Sequence, residues 1–179
     1  MSVRNIVKIG NATLRKKSKP VVDFGESLST LLDDMKNTMR EKGGVGIAAV
    51  QVGVLRRAIV IEVEEEEYLE IINPEIIKTR GKVTDSEGCL SIPDFYCDVT
   101  RPKYVKIKAE VSKGDVFFFE AKDYIARCIC HEIDDLNGVL FVDYTEEGQI
   151  YRDRFERLNW WKFCFLEHHF LLKLCLKNY

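Results

Sequence analysis

The chain has 179 residues and a formal net charge of −2, with 46% apolar and 31% charged residues. That balance excludes disordered, collagenous and fibrous classes, and one domain of this length buries roughly 70% of its unfolded surface without staples. A near-neutral charge gives no whole-molecule reason to bind nucleic acid, so no sequence-specific nucleic-acid partner is expected.

The first residues, Met1-Ser2-Val3-Arg4-Asn5, lack the apolar core of a signal peptide. The expected setting is therefore the cytoplasm. In that reducing compartment Cys89, Cys97, Cys128, Cys130, Cys164 and Cys175 would be free, metal-bound or catalytic rather than paired. Leu28, Leu31, Leu32, Met35 and Met39 fall at helical spacing and predict a first helix. Asp23 is its expected cap, and Gly43-Gly44 its stop.

Strand-like runs follow at residues 58–63 and 69–72, joined by an acidic stretch, residues 64–67, that reads as a solvated turn. Residues 50–54 also read as extended. Further strands are expected at 83–87, 104–110 and 116–121, and the alternation of apolar and basic residues from Tyr104 to Ala109 suits a half-buried antiparallel strand. Cys97, beside Tyr96, falls in an expected loop. Asp123 is the expected cap of a second helix running to about Leu136, with Asn137-Gly138 as its stop, and Thr145 that of a third beginning near Glu146. Clustered strands between helices give an α+β class, with antiparallel or mixed sheets around a central helix.

That helix carries the strongest chemical signal, His131-Glu132-Ile133-Asp134-Asp135. A His followed by Glu begins the H-E-x-x-H pattern, in which two ligands four residues apart share a helical face and the Glu acts as general base. Here the fourth residue on is Asp135. Asp is a permissible oxygen ligand, but its carboxylate lies nearer the backbone than the far nitrogen of a His ring. Taken alone, the pattern is weak and fits a helix with exposed acids better. Glu87-Gly88-Cys89-Leu90-Ser91 adds a thiol at a strand end, which is either a soft metal ligand or a small core residue.

Residues 44–51, Gly44-Val45-Gly46-Ile47-Ala48-Ala49-Val50-Gln51, contain G-x-G-x-x-A. A dinucleotide site requires that fingerprint to follow a strand and open a helix; this copy follows a helix, so the reading is rejected. The glycines instead let backbone amides approach a substrate, and Gln51 offers an amide donor to a carbonyl.

In this order the three segments resemble peptide deformylase, whose marks are G-x-G-x-A-A-x-Q, E-G-C-L-S and H-E-x-D-H. The first two match completely, and the third matches except at its final ligand. The resemblance spans residues 6–144, including Leu136-Asn137-Gly138-Val139-Leu140-Phe141-Val142-Asp143. It implies hydrolysis of the formyl group from the N-formyl-methionine of nascent chains, with a divalent metal, Fe2+ first and Zn2+, Ni2+ or Co2+ as alternatives. By position, Cys89 and His131 are metal ligands and Asp135 takes the place of the third. Glu132 is the general base and proton shuttle, and Gln51 with the Leu90 amide holds the oxyanion; one such donor is worth ~10²–10³ in rate. Gly46 would bind the peptide backbone, while Val45, Tyr124 and Arg127 would line the methionine pocket. Glu87 and Arg101 are an expected ion pair, with Asp134 and Ser91 supporting the ligands.

Asp135 leaves three outcomes open. It binds metal in a displaced or water-bridged geometry with reduced activity; or Cys128, one turn before His131, substitutes; or the protein is a silent relative that binds peptide or ribosome. A metallopeptidase with another substrate is a more generic alternative. Residues 1–145 are read as the catalytic domain and 146–179 as a helical, basic and apolar extension. Residues 150–179 carry a net +3. A basic segment suits the ribosome surface, and the apolar stretch beyond Asn159 suits packing on its own domain or a second copy. Glu167, His168 and His169 interrupt that stretch, which lacks the ~18 uninterrupted apolar residues of a transmembrane span.

Overall fold

In the computed structural model, which describes residues 2–64, 67–145, 150–152 and 156–158, the first predicted helix is α1, Glu26–Glu41. Its five periodic apolar residues are buried in one cluster with Ala58, Val60 and Ile72. The start differs from expectation. Gly25 precedes the first turn, and the Asp23 carboxylate accepts the Gly25 N–H at 2.9 Å. Asp23 therefore closes the turn leading into the helix and does not cap the helix amides. The stop is as expected: the Gly44 N–H returns to the Met39 carbonyl at 2.9 Å.

Five strands form the first sheet: β1 (Gly46–Ala48), β2 (Ala58–Glu64), β3 (Glu67–Arg80), β6 (Tyr104–Glu110) and β7 (Val116–Lys122), in the order β1-β2-β3-β6-β7. The second contains β4 (Val83–Cys89), β5 (Ile92–Arg101), β8 (Ile150–Arg152) and β9 (Glu156–Leu158). Every pairing between these strands is antiparallel. The unbroken apolar run in β2 has a simple cause. Ala58 and Val60 face α1, while Ile59 and Ile61 face the opposite cluster, so both strand faces are buried. Glu64 pairs with Glu67, and residues 65–66 of the expected acidic turn lie outside the described residues.

Several strand readings need correction. β3 runs eight residues past Ile72. Asn73-Pro74 looks like a terminator, but it sits where the pairing to β6 shifts register, a position that tolerates proline. Residues 49–52 form a turn of 3-10 helix instead of extended chain. β5 was not predicted, and Cys97 is buried within it instead of in a loop. Residues 150–152 and 156–158 are strands where a helix was expected from Glu146; residues 146–149 and the apolar stretch from Asn159 lie outside the described residues.

Between the sheets runs α2, Asp123–Leu136. Ala126, Ile129, Cys130, Ile133 and Leu136 join side chains from β2, β5, β6 and β7 in the larger core. Asp123 adopts φ 50° inside the first turn, after Lys122, so it is not the cap. Asn137-Gly138 ends the helix as predicted, with the Asn137 N–H on the Asp134 carbonyl at 2.8 Å. The fold is α+β, and its central helix carries residues 131–135.

Candidate active site

Residues 126–133, 135 and 136 of α2 are all buried, so its polar side chains lie where water cannot solvate them. They must find partners inside the protein. Those partners come from the end of β4 and from the β1 segment. Together the three elements line a cavity of about 660 Å³ that includes Val45, Gly46, Gln51, Cys89, Leu90, His131 and Glu132.

The Cys89 thiol, a His131 ring nitrogen and an Asp135 carboxylate oxygen lie within 4.8 Å of one another. Cys89 Sγ is 3.8 Å from Asp135 Oδ2. A tetrahedral divalent ion with S and O ligands at about 2.3 and 2.1 Å sets those donors about 3.6 Å apart. The Cys89–Asp135 spacing is thus compatible with two donors of one divalent ion, and His131 stands within the same cluster. Cys128 lines the cavity but is outside the trio. It lies beside Tyr124, and burial pushes its thiol up to about 11.

His131 faces Glu87 with its other nitrogen, Nδ1, at 2.9 Å from Oε2, and its ring stacks on Phe141. Glu87 is the hub of the support. Arg101 forks onto both its oxygens at 2.9 and 3.0 Å, confirming that pair. Burial works to raise the Glu87 pKa, but His131 and Arg101 outweigh it and hold the carboxyl at about 2. Arg101 also bridges to Asp134, which accepts the Tyr144 hydroxyl at 2.8 Å. Ser91 is buried, and its hydroxyl finds no partner among the described residues, so no hydrogen bond from it supports the ligands there.

Gln51 is oriented unambiguously. Its Oε1 accepts the Ala48 N–H at 2.7 Å, which turns Nε2 toward Cys89 Sγ at 3.3 Å. Leu90 follows Cys89 at the turn between β4 and β5, and its carbonyl accepts Lys8 Nζ at 2.7 Å. Gly88 is required beside Cys89: a Cβ there would meet Tyr96 Cε1 at 2.8 Å. Val45 and Tyr124 are exposed at the rim. Arg127 reaches the cavity wall, but its guanidinium turns away to Glu87 and three backbone carbonyls of β4 and β5. Sequence reasoning missed that role, although an Arg among Ile125, Ala126, Cys128 and Ile129 on a core helix signals a buried partner.

Glu132 is buried, and its Oε2 has no hydrogen-bond partner among the described residues. Such an orphan acceptor is costly unless a ligand uses it. Burial and the charges of Asp135 and Glu87 push the Glu132 pKa up, against the opposing pull of His131. Burial also pushes Asp135 up, with Asp134 adding to it. A proton-hungry carboxyl beside a cation site has the character of a general base. Gly46 makes room for it: a Cβ there would stand 2.7 Å from Glu132 Oε1. Gly46→Ala is therefore expected to displace that carboxylate and lower by about 10²-fold the rate of a reaction that uses it as base, with circular dichroism unchanged.

The chain's relatives agree with one another. The polypeptide deformylase family profile matches residues 3–150. Peptide deformylase 1 of Clostridium acetobutylicum is 52% identical over 149 residues, covering 83% of this chain and 99% of that protein. Peptide deformylase of Thermoanaerobacter pseudethanolicus is 50% identical over 143 residues, 80% of this chain and 89% of the relative. Among solved structures, the peptide deformylase of Legionella pneumophila superposes with a TM-score of 0.79 at 42% identity, over 80% of this chain and 86% of that one. That of Thermotoga maritima gives 0.78 at 37%, over 80% and 98%.

Proposed function

The chain belongs to the peptide deformylase family, and from that premise we propose that it hydrolyses the formyl group of N-formyl-methionyl nascent peptides with Cys89, His131 and Asp135 holding a divalent ion. The observation that carries this reading is the convergence of those donors beside the unpartnered Glu132 Oε2. The family resemblance puts ferrous iron first, and the thiolate–imidazole–carboxylate set also accepts Zn2+, Ni2+ or Co2+. When bound, the ion supplies Lewis acidity to the water and the formyl oxygen. Glu132 takes the proton from the attacking water and delivers it to the leaving amine. Gln51 Nε2 and the Leu90 N–H donate to the developing oxyanion. Gly46 lies along the peptide backbone, and Val45, Tyr124 and the aliphatic stem of Arg127 border the methionine side chain.

Asp135 makes the set dianionic, so it neutralises a divalent ion where a second His would leave a positive charge. Less Lewis acidity and a harder donor give a slower enzyme than a Cys/His/His set. Residues 1–145 make up the catalytic unit in this reading, and 146–179 an extension. Arg152, Arg154 and Arg157 give that extension a charge suited to the ribosome surface, and its apolar stretch suits a second copy. No helix among the described residues is long and apolar enough to cross a membrane.

The test is formate release by protein purified anaerobically and loaded with iron. Formylated methionyl peptide is expected to yield formate, and the unformylated peptide no product. Absence of both metal and formate would leave only a peptide-binding relative; cleavage of the unformylated peptide would point to a metallopeptidase.

A further inference from the structure

Glu87 and Cys89 lie two residues apart at the end of β4, and Arg127 and His131 lie one turn apart on α2. Two contacts to Glu87 join the pairs, beside the meeting of His131 with Cys89. Arg127 Nη1 donates to Glu87 Oε1 at 2.6 Å, and His131 Nδ1 meets Glu87 Oε2 at 2.9 Å. Arg127 is only 6% exposed, and its remaining contacts go to the same sheet. Nη1 donates to the Val99 carbonyl at 2.8 Å and faces that of Asp85 at 3.4 Å, while Nη2 donates to the Val83 carbonyl at 2.9 Å.

One tie between a strand and a helix leaves them free to rotate about it; two ties a helical turn apart do not. Arg127 supplies the second tie from the same helix that carries His131. The carboxylate between them is saturated. It offers about four lone-pair sites, and Arg101, Arg127 and His131 fill them. Oε2 thus accepts from Nδ1, and the far nitrogen of His131 is left for the Cys89–Asp135 trio.

We propose that Arg127 is a positioning residue that, with His131, clamps α2 to β4 through Glu87 and so sets the placement of His131 relative to Cys89. The proposal rests on the metal-dependent reading above. It adds to the place of the Arg127 stem at the cavity wall, because a residue that only lined the wall would act on substrate affinity alone.

Cobalt(II) serves as the probe, with its release rate measured by chelator challenge and its visible absorption recorded. Arg127→Met keeps the length of the stem and removes the clamp. It is expected to speed cobalt release by about 10–100-fold and alter the absorption envelope, as loss of a ligand's supporting contact does. Arg127→Lys keeps one charge-assisted contact and should fall between the two. If Arg127→Met matches the wild-type chain in release rate and spectrum while only KM rises, Arg127 is a pocket wall and the clamp is wrong. If Arg127→Met does not fold, Arg127→Lys decides: wild-type release and spectrum would overturn the proposal, and faster release would support it. A wild-type chain that takes up no cobalt would overturn the metal reading, and the clamp with it.

Discussion

Glu132→Gln lowers formate release by about 10²–10⁴-fold while the bound metal stays in place. The two parts of this result have separate causes. Glu132 is not one of the three converging donors, so its carboxylate is not needed to hold the ion. It is buried, with an unpartnered oxygen, and pushed toward the protonated form by burial and by Asp135 and Glu87. Glutamine keeps the size and an acceptor but cannot take a proton from water or return one to the leaving amine. The measurement pairs iron content with formate yield in single-turnover conditions. Loss of iron along with activity would place Glu132 among the ligands instead.

Asp135→Ala weakens metal binding by more than about 10²-fold, beyond what loss of a merely supporting residue costs. It removes one of three donors, and no other described His, Cys, Asp or Glu joins that cluster. Cys128 lies nearby on the helix, yet it sits beside Tyr124. The variant is expected to fold. Burial raises the pKa of Asp135, which means that its charge is a burden on the metal-free protein, and its removal relieves that burden. Metal retained at the wild-type affinity would show that another group completes the shell.

The parts of this site that sequence made legible are local. His131, Glu132 and Asp135 share one helix, and helical spacing alone predicts that the two outer side chains lie on one face. Gly44 to Gln51 and Glu87 to Ser91 are short segments whose composition carries their geometry. The core face of α1 was readable from periodicity and β2 from an unbroken apolar run, while the burial of both its faces emerged only from the packing. What stayed hidden depended on distant partners. Arg127 meets Glu87 across 40 positions, so nothing near it in the chain shows that its charge is spent. β5 alternates Phe95, Cys97, Val99 and Arg101 inward, but Pro93-Asp94 and the buried charge of Arg101 mask the pattern. β3 was cut short for a related reason, since Asn73-Pro74 marks a bulge here and a turn in most contexts. Whether a shorter carboxylate reaches a metal depends on where α2 sits against β4, and only packing settles that distance.

Asp135 at a ligand position in a working deformylase is the central claim to test. The most direct measurement is formate release by the ferrous Asp135→His variant beside the wild-type chain at equal iron content. The expected result is a measurable rate for the wild-type chain and a large increase for the variant, because His restores a neutral donor at the same place. An unchanged and substantial rate would contradict the account, since it would mean that some other residue completes the shell.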